Sequence, residues 1–395
     1  MTVIEFFDRE SAIENIISTL LCKPQKVVFI GNSLKQMQRS IEKYKSVVYD
    51  RGIDVEFEIK SVPKNNLTAA VDVIEETVSK NNGCVVDLSG GNDLCLAAVG
   101  IVYAKHPSSL KLHRFNISNG TMTEFDSDGT MCACEPVKLS IKECISVYGG
   151  KMKYDGKTAD NWDFTEEFKN DIRSMWSVCR KNPTEWNAQI KVLDKLCSEH
   201  QSTDGLFYVF KSDIMTKKLI EILRALAEYG VTDKFVDKGS YIEFAFKNEQ
   251  IKRALTKSGQ VLELTVTAVA LDSTDNNGEK VYDDVLTGVI IDWEDEKSAV
   301  SNEIDVVLMR GITPVFISCK NGALSSDELY KLSTVAEKFG GRFARKVLVA
   351  TELEKLGSKE AHIKARAESL DIRIIDRADE LSDKELQRKI TNLYM

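Results

Sequence analysis

The chain has 395 residues, 43% of them hydrophobic, enough for two or three globular domains. A formal net charge of -8 argues against a surface that grips nucleic acid everywhere, while leaving room for a local basic cleft. No run approaches the roughly 20 apolar residues of a membrane span, and the start, MTVIEFFDRESAIENI, carries acids where a signal peptide is basic, so a cytoplasmic protein with no membrane partner is expected.

Nine cysteines are scattered through the chain, mostly in apolar segments, and read as reduced core residues. Cys132 and Cys134 have C-x-C spacing, but no second pair or nearby His completes a zinc site. Four histidines leave little scope for His-based chemistry.

In chain order, residues 1–22 read as a short strand and an amphipathic helix with Ile13, Ile16, Ile17, Leu20 and Leu21 on one face. The apolar strand 27–30 opens through Gly31-Asn32-Ser33 into a helix reaching Tyr44. Such a junction is an anion site, because free backbone N–H groups and the positive dipole end point outward; alternatively Asn32 or Ser33 only caps the helix. An alternating strand, 54–61, and a helix, Leu67–Lys80, follow. The next apolar strand, 84–88, opens into Ser89-Gly90-Gly91-Asn92 and an apolar helix to Tyr103. This alternation predicts a parallel, doubly wound sheet with both small-residue loops on the carboxyl edge, where open α/β folds bind ligands. Gly90 and Gly91 let a ligand approach closely, and Ser89 and Asn92 offer hydrogen bonds, although a plain tight turn explains the same residues. Neither G-x-G-x-x-G nor a P-loop is present. Segments 111–116, 121–125, 132–135 and 137–139 are expected as strands that finish a first domain, 1-150, bounded by Gly149-Gly150.

Beyond 150 the spacing predicts helices over 163–179 and 184–197, a strand over 205–210, a helix over 215–229, a strand over Tyr241–Phe246 and a helix over 249–256. Helix, turn and strand pair resemble a winged-helix element. Such elements bind DNA or act as spacers, and the nearby Glu221, Glu228, Asp233 and Asp237 favour a spacer for 151-256.

The remaining segment, 257-395, opens with a helix over 260–271 that places Glu263 among Val261, Leu262, Leu264, Val266 and Val269. A strand over 285–293 precedes a hairpin, 304–309 and 313–319, that turns at Arg310-Gly311; helices over 326–339 and 358–370 then alternate with strands over 346–350 and Ile372–Ile375, before a final helix from 383. Glu303 and Asp305 sit at the start of the first hairpin strand and Lys320 closes the second. Charges bracketing apolar strands are costly when buried and unpaired, and are tolerated when they face a metal ion and a phosphate. A surface hairpin with charged ends is the competing reading. Phosphodiester hydrolysis needs a carboxylate-held divalent cation and a nearby ammonium; Glu263, Asp305 and Lys320 come from three elements that would converge on one sheet edge.

This stretch resembles the PD-(D/E)XK nuclease core, with Asp305 as its aspartate and Ser318-Cys319-Lys320 at the (D/E)-x-K. Ser318 replaces the usual second acid, so Glu303 or Glu263 must complete the coordination. The N-terminal half, with Gly31-Asn32-Ser33 and Ser89-Gly90-Gly91-Asn92 at two strand ends, resembles the CARF domain of type III CRISPR ancillary proteins. Together the two likenesses imply an α/β protein with an N-terminal Rossmann-like CARF domain, a helical and winged-helix-like linker domain and a C-terminal restriction-endonuclease-like α/β domain. They also imply a homodimer that binds a cyclic oligoadenylate, most commonly cyclic tetra-adenylate, through Gly31, Asn32, Ser33, Ser89, Gly90, Gly91 and Asn92. A divalent metal, Mn or Mg, on Glu263, Glu303 and Asp305 would then serve cleavage of single-stranded RNA or DNA, or nicking of supercoiled DNA. The alternative is a cyclic-nucleotide-sensing transcriptional regulator whose nuclease fold is inactive.

Overall fold

Strands without a polar face are stable only when both faces are covered. In the computed structural model, which describes residues 1–117, 120–125, 131–132, 136–153, 162–293, 301–322 and 324–394, the first such strands form the centre of a parallel sheet. Its elements run β1 (Thr2–Phe6), α1 (Ile17–Cys22), β2 (Lys26–Gly31), α2 (Leu34–Asp50), β3 (Glu56–Ser61), α3 (Leu67–Lys80), β4 (Cys84–Asp87), α4 (Asp93–Lys105), β5 (Leu110–Asn116), β6 (Thr121–Glu124) and β7 (Met131–Cys132). The order β3-β2-β1-β4-β5-β6-β7 is parallel through β5 and antiparallel at β6 and β7. The doubly wound sheet expected from the sequence is therefore present, with the carboxyl ends of β2 and β4 in the same layer.

One expectation for the end of this region needs correction. Residues 137–139 form no strand; α5 (Ile141–Val147) follows them instead, started by a capping box in which the Ser140 and Glu143 side chains satisfy each other's backbone N–H groups. The Ser-x-x-Glu signal is local and readable, and the apolar residues around it masked it. After α5, β8 (Gly150–Met152) pairs antiparallel with a strand of the C-terminal sheet. Of the expected strand 132–135, residues 133–135 lie outside the described residues, as does Cys134 of the C-x-C pair.

The middle segment contains α6 (Glu166–Cys179), α7 (Pro183–Glu199), β9 (Phe207–Lys211), α8 (Lys217–Glu228), β10 (Thr232–Asp237), β11 (Tyr241–Phe246) and α9 (Glu249–Leu255). Its antiparallel sheet, β10-β11-β9, includes a strand that periodicity does not reveal, because β10 is charged and largely exposed. The C-terminal part runs α10 (Gln260–Asp272), β12 (Asp284–Trp293), β13 (Ser301–Arg310), β14 (Thr313–Asn321), α11 (Ser326–Gly340), β15 (Arg345–Thr351), α12 (Ser358–Ser369), β16 (Ile372–Ile375) and α13 (Asp383–Thr391). These strands assemble as β16-β15-β14-β13-β12-β8, antiparallel through the β12-β13-β14 meander and parallel from β14 to β16.

Both faces of this sheet are covered by other parts of the chain. On one, Phe316, Met309 and Phe339 join a core that continues through Ile145 to Phe29 and Tyr44 of the N-terminal sheet. On the other, Leu308 and Ile317 join Leu264 of α10 and Trp176, Trp186 and Phe210 of the middle segment. Cys84, Cys95, Cys144, Cys179 and Cys319 are free and buried, as core cysteines should be. Among the described residues no helix is long and apolar enough to cross a membrane.

Gly150 tests the continuity between the first region and the C-terminal sheet. A Cβ there would lie 2.5 Å from Phe339 and 2.8 Å from Ile145 and Ile291. Gly150→Ala should cost about 1–3 kcal/mol of stability by overpacking, measured by denaturant unfolding, whereas a linker glycine would accept alanine without loss.

Candidate active site

Asp305 lies on β13 beside Ser318 of β14, one rung beyond the Val306–Ile317 pair. Its Oδ2 accepts the Cys319 N–H at 2.6 Å and the Ser318 hydroxyl at 3.1 Å, and the Lys320 Nζ stands 3.7 Å away. Strand alternation puts Ser318 and Lys320 on the same face of β14, so a single short segment supplies three partners to one carboxylate. Burial still raises the Asp305 pKa, although Lys320 and the Cys319 N–H pull it down.

Lys320 has a second partner. Glu328, in the first turn of α11, holds the ammonium at 3.2 Å and also pairs with Lys331 at 3.3 Å. Burial works against the Lys320 charge, but Asp305 and Glu328 outweigh it, so its pKa is raised. Glu328 shows the reverse: burial raises its pKa, Lys320 and Lys331 more than offset that, and the carboxyl ends below its usual range.

Glu263 approaches from α10. It is 7% exposed, and its Oε2 accepts the Gln260 amide at 2.9 Å. Burial, and after it the Asp305 charge, pushes its pKa up to about 8. Glu303 is engaged differently from a bare ligand: its Oε1 is 2.7 Å from the Lys257 Nζ. Burial lowers the Lys257 pKa, and the surrounding Glu263, Glu303 and Asp305 more than reverse that. The five expected residues therefore gather at one place, joined by Lys257, Gln260 and Glu328. These three escaped the sequence reading because their roles come from side chains packed across separate elements.

The donors that line this place are oxygen atoms, which suit a hard divalent cation such as Mg or Mn. The deeply buried Glu263 carboxyl has one amide partner and a carboxylate neighbour, an environment that a cation would relieve. Among the described residues no three His, Cys, Asp or Glu side chains form a ready metal cluster. Glu263 and Asp305 would thus supply two ligands, with the remaining positions left to water and substrate oxygens, a common arrangement for Mg.

At the carboxyl edge of the N-terminal sheet, Gly31 ends β2, Asn32 is exposed, and Ser33 occupies the N-cap position of α2 without a side-chain capping bond. In the second loop the side chains are committed internally. The Ser89 hydroxyl donates to Asp87 Oδ1 at 2.5 Å and accepts the Phe115 N–H at 2.8 Å; Asn92 caps α4 through the Cys95 N–H. Gly91 has φ +98, and a Cβ there would sit 2.4 Å from the Phe6 Cβ, so only glycine fits. Beneath this loop Asp87 Oδ2 also accepts the buried Ser18 hydroxyl at 2.5 Å, and His113 lies 2.9 Å from Ser18.

Fold and site together define an α/β protein in which a doubly wound parallel sheet is joined to a second α/β sheet that carries a cluster of carboxylates and a lysine. Residues 249–393 match the family described as Card1-like, endonuclease domain. Protein VC1899 from Vibrio cholerae shares the fold with a TM-score of 0.76 at 16% identity, over 100% of this chain and 97% of that one. Can2 from Sulfobacillus thermosulfidooxidans, solved in complex with cyclic tetra-adenylate, gives a TM-score of 0.66 at 14% identity, over 99% and 97% of the two chains. No curated protein matches the sequence.

The raised Glu263 pKa has a measurable consequence. A carboxyl whose pKa rises from 4.5 to about 8 on folding binds its proton more tightly folded than unfolded. Stability contributed by that proton is present below pH 4.5 and is lost as pH rises toward 8. In the presence of chelator, Glu263→Gln should flatten this part of the stability–pH profile and gain on the order of 1–3 kcal/mol at pH 8.5. Thermal-unfolding profiles of the two proteins against pH check this, and parallel curves would overturn the prediction.

Proposed function

We propose that this chain is a cyclic-oligoadenylate-activated, metal-dependent endonuclease of type III CRISPR defence, acting on single-stranded RNA or DNA. The observation that carries the reading is the meeting of Asp305, Lys320 and Glu263 inside the segment that matches a Card1-like endonuclease domain. We take 1-150 as the sensor, 151-256 as the connector and 257-395 as the PD-(D/E)XK-like nuclease.

A divalent ion, Mg or Mn, held by Glu263 and Asp305 would supply Lewis acidity to phosphodiester hydrolysis. The chain's own residues arrange the rest. Ser318 and the Cys319 N–H orient the Asp305 carboxylate, which explains how a serine can stand where the motif carries an acid: it aims the ligand in place of serving as one. Lys320, kept charged by Asp305 and Glu328, places an ammonium where negative charge develops in the transition state. Lys257 neutralises Glu303 beside Glu263 and lowers the repulsion between the acids.

The activator reading rests on the sheet edge. Asn32, Ser33 and the backbone of Gly90-Gly91 are the groups available to a cyclic oligoadenylate, with Ser89 and Asn92 holding the second loop in shape. A two-fold homodimer of these edges would match the symmetry of cyclic tetra-adenylate. Activation requires the ligand to bind the competent arrangement more tightly than the idle one. A sensing regulator with a dead nuclease is disfavoured by the Lys320–Asp305 pair, which an inactive fold has no need to keep.

The decisive assay uses labelled single-stranded RNA and DNA with Mn, with and without cyclic tetra-adenylate. Ligand-dependent cleavage is expected, and Asp305→Asn or Lys320→Ala should each reduce it by about 10²-fold or more. Cleavage that ignores both substitutions would remove this site from the chemistry. Asn32→Ala should raise the activator concentration needed for half-maximal cleavage several-fold, while leaving the rate at saturation unchanged.

A further inference from the structure

The middle segment was expected to be a spacer, yet its helices touch the nuclease sheet at one particular edge. β14, β15 and β16 are parallel, and their carboxyl ends lie together. The turn between α6 and α7 and the first turns of α7 engage the chain after each of them. Arg180 donates to the Asp379 and Leu381 carbonyls beyond β16, at 2.7 and 2.5 Å. The Thr184 hydroxyl donates to Glu352 beyond β15. At the end of β14, Asn187 donates its Nδ2 to the Asn321 carbonyl at 2.6 Å.

Asn187 reaches further than the other two. Its Oδ1 accepts the Gly259 N–H at 3.1 Å and the Asn321 side-chain amide at 3.2 Å. Asn321 is in turn fixed by the Thr351 hydroxyl at 3.0 Å, which also accepts the Gly322 N–H. One carboxamide therefore joins two elements: the strand end that follows directly on Lys320, and the N-cap of the helix that carries Glu263 one turn later. Gly259, at φ +88, has no side chain with which to secure that helix start, so the restraint comes from α7.

We infer that Asn187 is a positioning residue that sets the distance between Lys320 and Glu263, so that the connector forms part of the nuclease site. It lies outside the segment, 249–393, that matches the endonuclease family. The physical warrant is that small displacements of reacting groups are expensive in rate: about 1 Å can cost on the order of 10²-fold. Side chains held by a second layer of hydrogen bonds avoid that loss.

The inference rests on the nuclease reading of the site, so the test has arms that need no cleavage. First, amide hydrogen exchange of full-length protein without metal: Asn187→Ala should accelerate exchange across 259–263 while leaving β12 unchanged. Second, Mn titration followed by thermal shift: wild type should be stabilised, Glu263→Gln should abolish the shift, and Asn187→Ala should move its midpoint several-fold higher. Third, cleavage at saturating Mn and cyclic tetra-adenylate: Asn187→Ala should lower kcat by about 10- to 100-fold with KM changed less than about 2-fold. Asn187→Asp keeps the acceptor for Gly259 and loses the donor to Asn321, so it should fall between, and it replaces the alanine variant should that one not fold. Thr184→Val, which loosens α7 from Glu352 alone, should lower the melting temperature and spare kcat.

An unchanged Mn midpoint together with unchanged exchange at 259–263 would overturn the role of Asn187, as would losses of kcat in Asn187→Ala and Thr184→Val that simply track their melting temperatures. Failure of wild type to cleave any strand would overturn the nuclease reading instead, and the exchange and Mn arms would still decide Asn187.

Discussion

A carboxylate taken out of water must be given donors, and at Asp305 a single strand gives them. The Cys319 N–H, the Ser318 hydroxyl and the Lys320 ammonium come from three consecutive residues of β14 and meet one carboxylate of β13. This is possible only because the hairpin register sets Asp305 beside Ser318; a slip of one residue would turn Asp305 to the opposite face. The rest of the site is built outward from that pair. Glu328 answers the Lys320 charge from α11, Lys257 answers Glu303, and Glu263 arrives on α10 with too little compensation to ionise easily. The site has a surplus of acid in a place partly closed to water, the electrostatic condition that a divalent cation satisfies.

The N-terminal sheet uses polar residues in the opposite manner. Its two carboxyl-end loops look equivalent in sequence, but one spends its side chains on itself and the other leaves them available. Ser89 and Asn92 close their loop onto Asp87, Phe115 and Cys95, and Gly91 lets that loop lie directly against Phe6. Such a loop leaves little but backbone uncommitted, while the Ser33 hydroxyl makes no capping bond to α2. The two halves are mechanically connected through a shared core and through the ion pair in which Arg342, just past α11, donates to the buried Glu14. Since the other end of α11 holds Glu328 against Lys320, a single helix lies between the Glu14 contact of the N-terminal region and the Asp305–Lys320 cluster.

The middle segment, too, is less separate than its composition implies. Trp176 and Trp186 share a core with Leu308 and Ile317 of the C-terminal sheet, and the α6–α7 turn grips the ends of three parallel strands. The carboxyl edge of a parallel sheet exposes strand ends and loops that no element of the sheet itself restrains. Covering it with helices from outside satisfies those groups and fixes the loops.

The sequence by itself determined the α/β class and the alternation of the first sheet, and it singled out Asp305, Lys320 and Glu263, because periodicity and a charge at an apolar strand end are local signals. The order of strands, acid and lysine was readable for the same reason. Tertiary structure alone decided that Gly150 begins a strand of the second sheet, that Ser318 serves Asp305, that Glu303 is matched by Lys257 and Lys320 by Glu328, and that Asn187 reaches the site from another part of the chain. Each of these depends on side chains brought together from separate strands and helices. Hydrogen bonds and ion pairs of that kind are set by how layers pack, and no repeat of 2 or 3.6 residues along the chain records them.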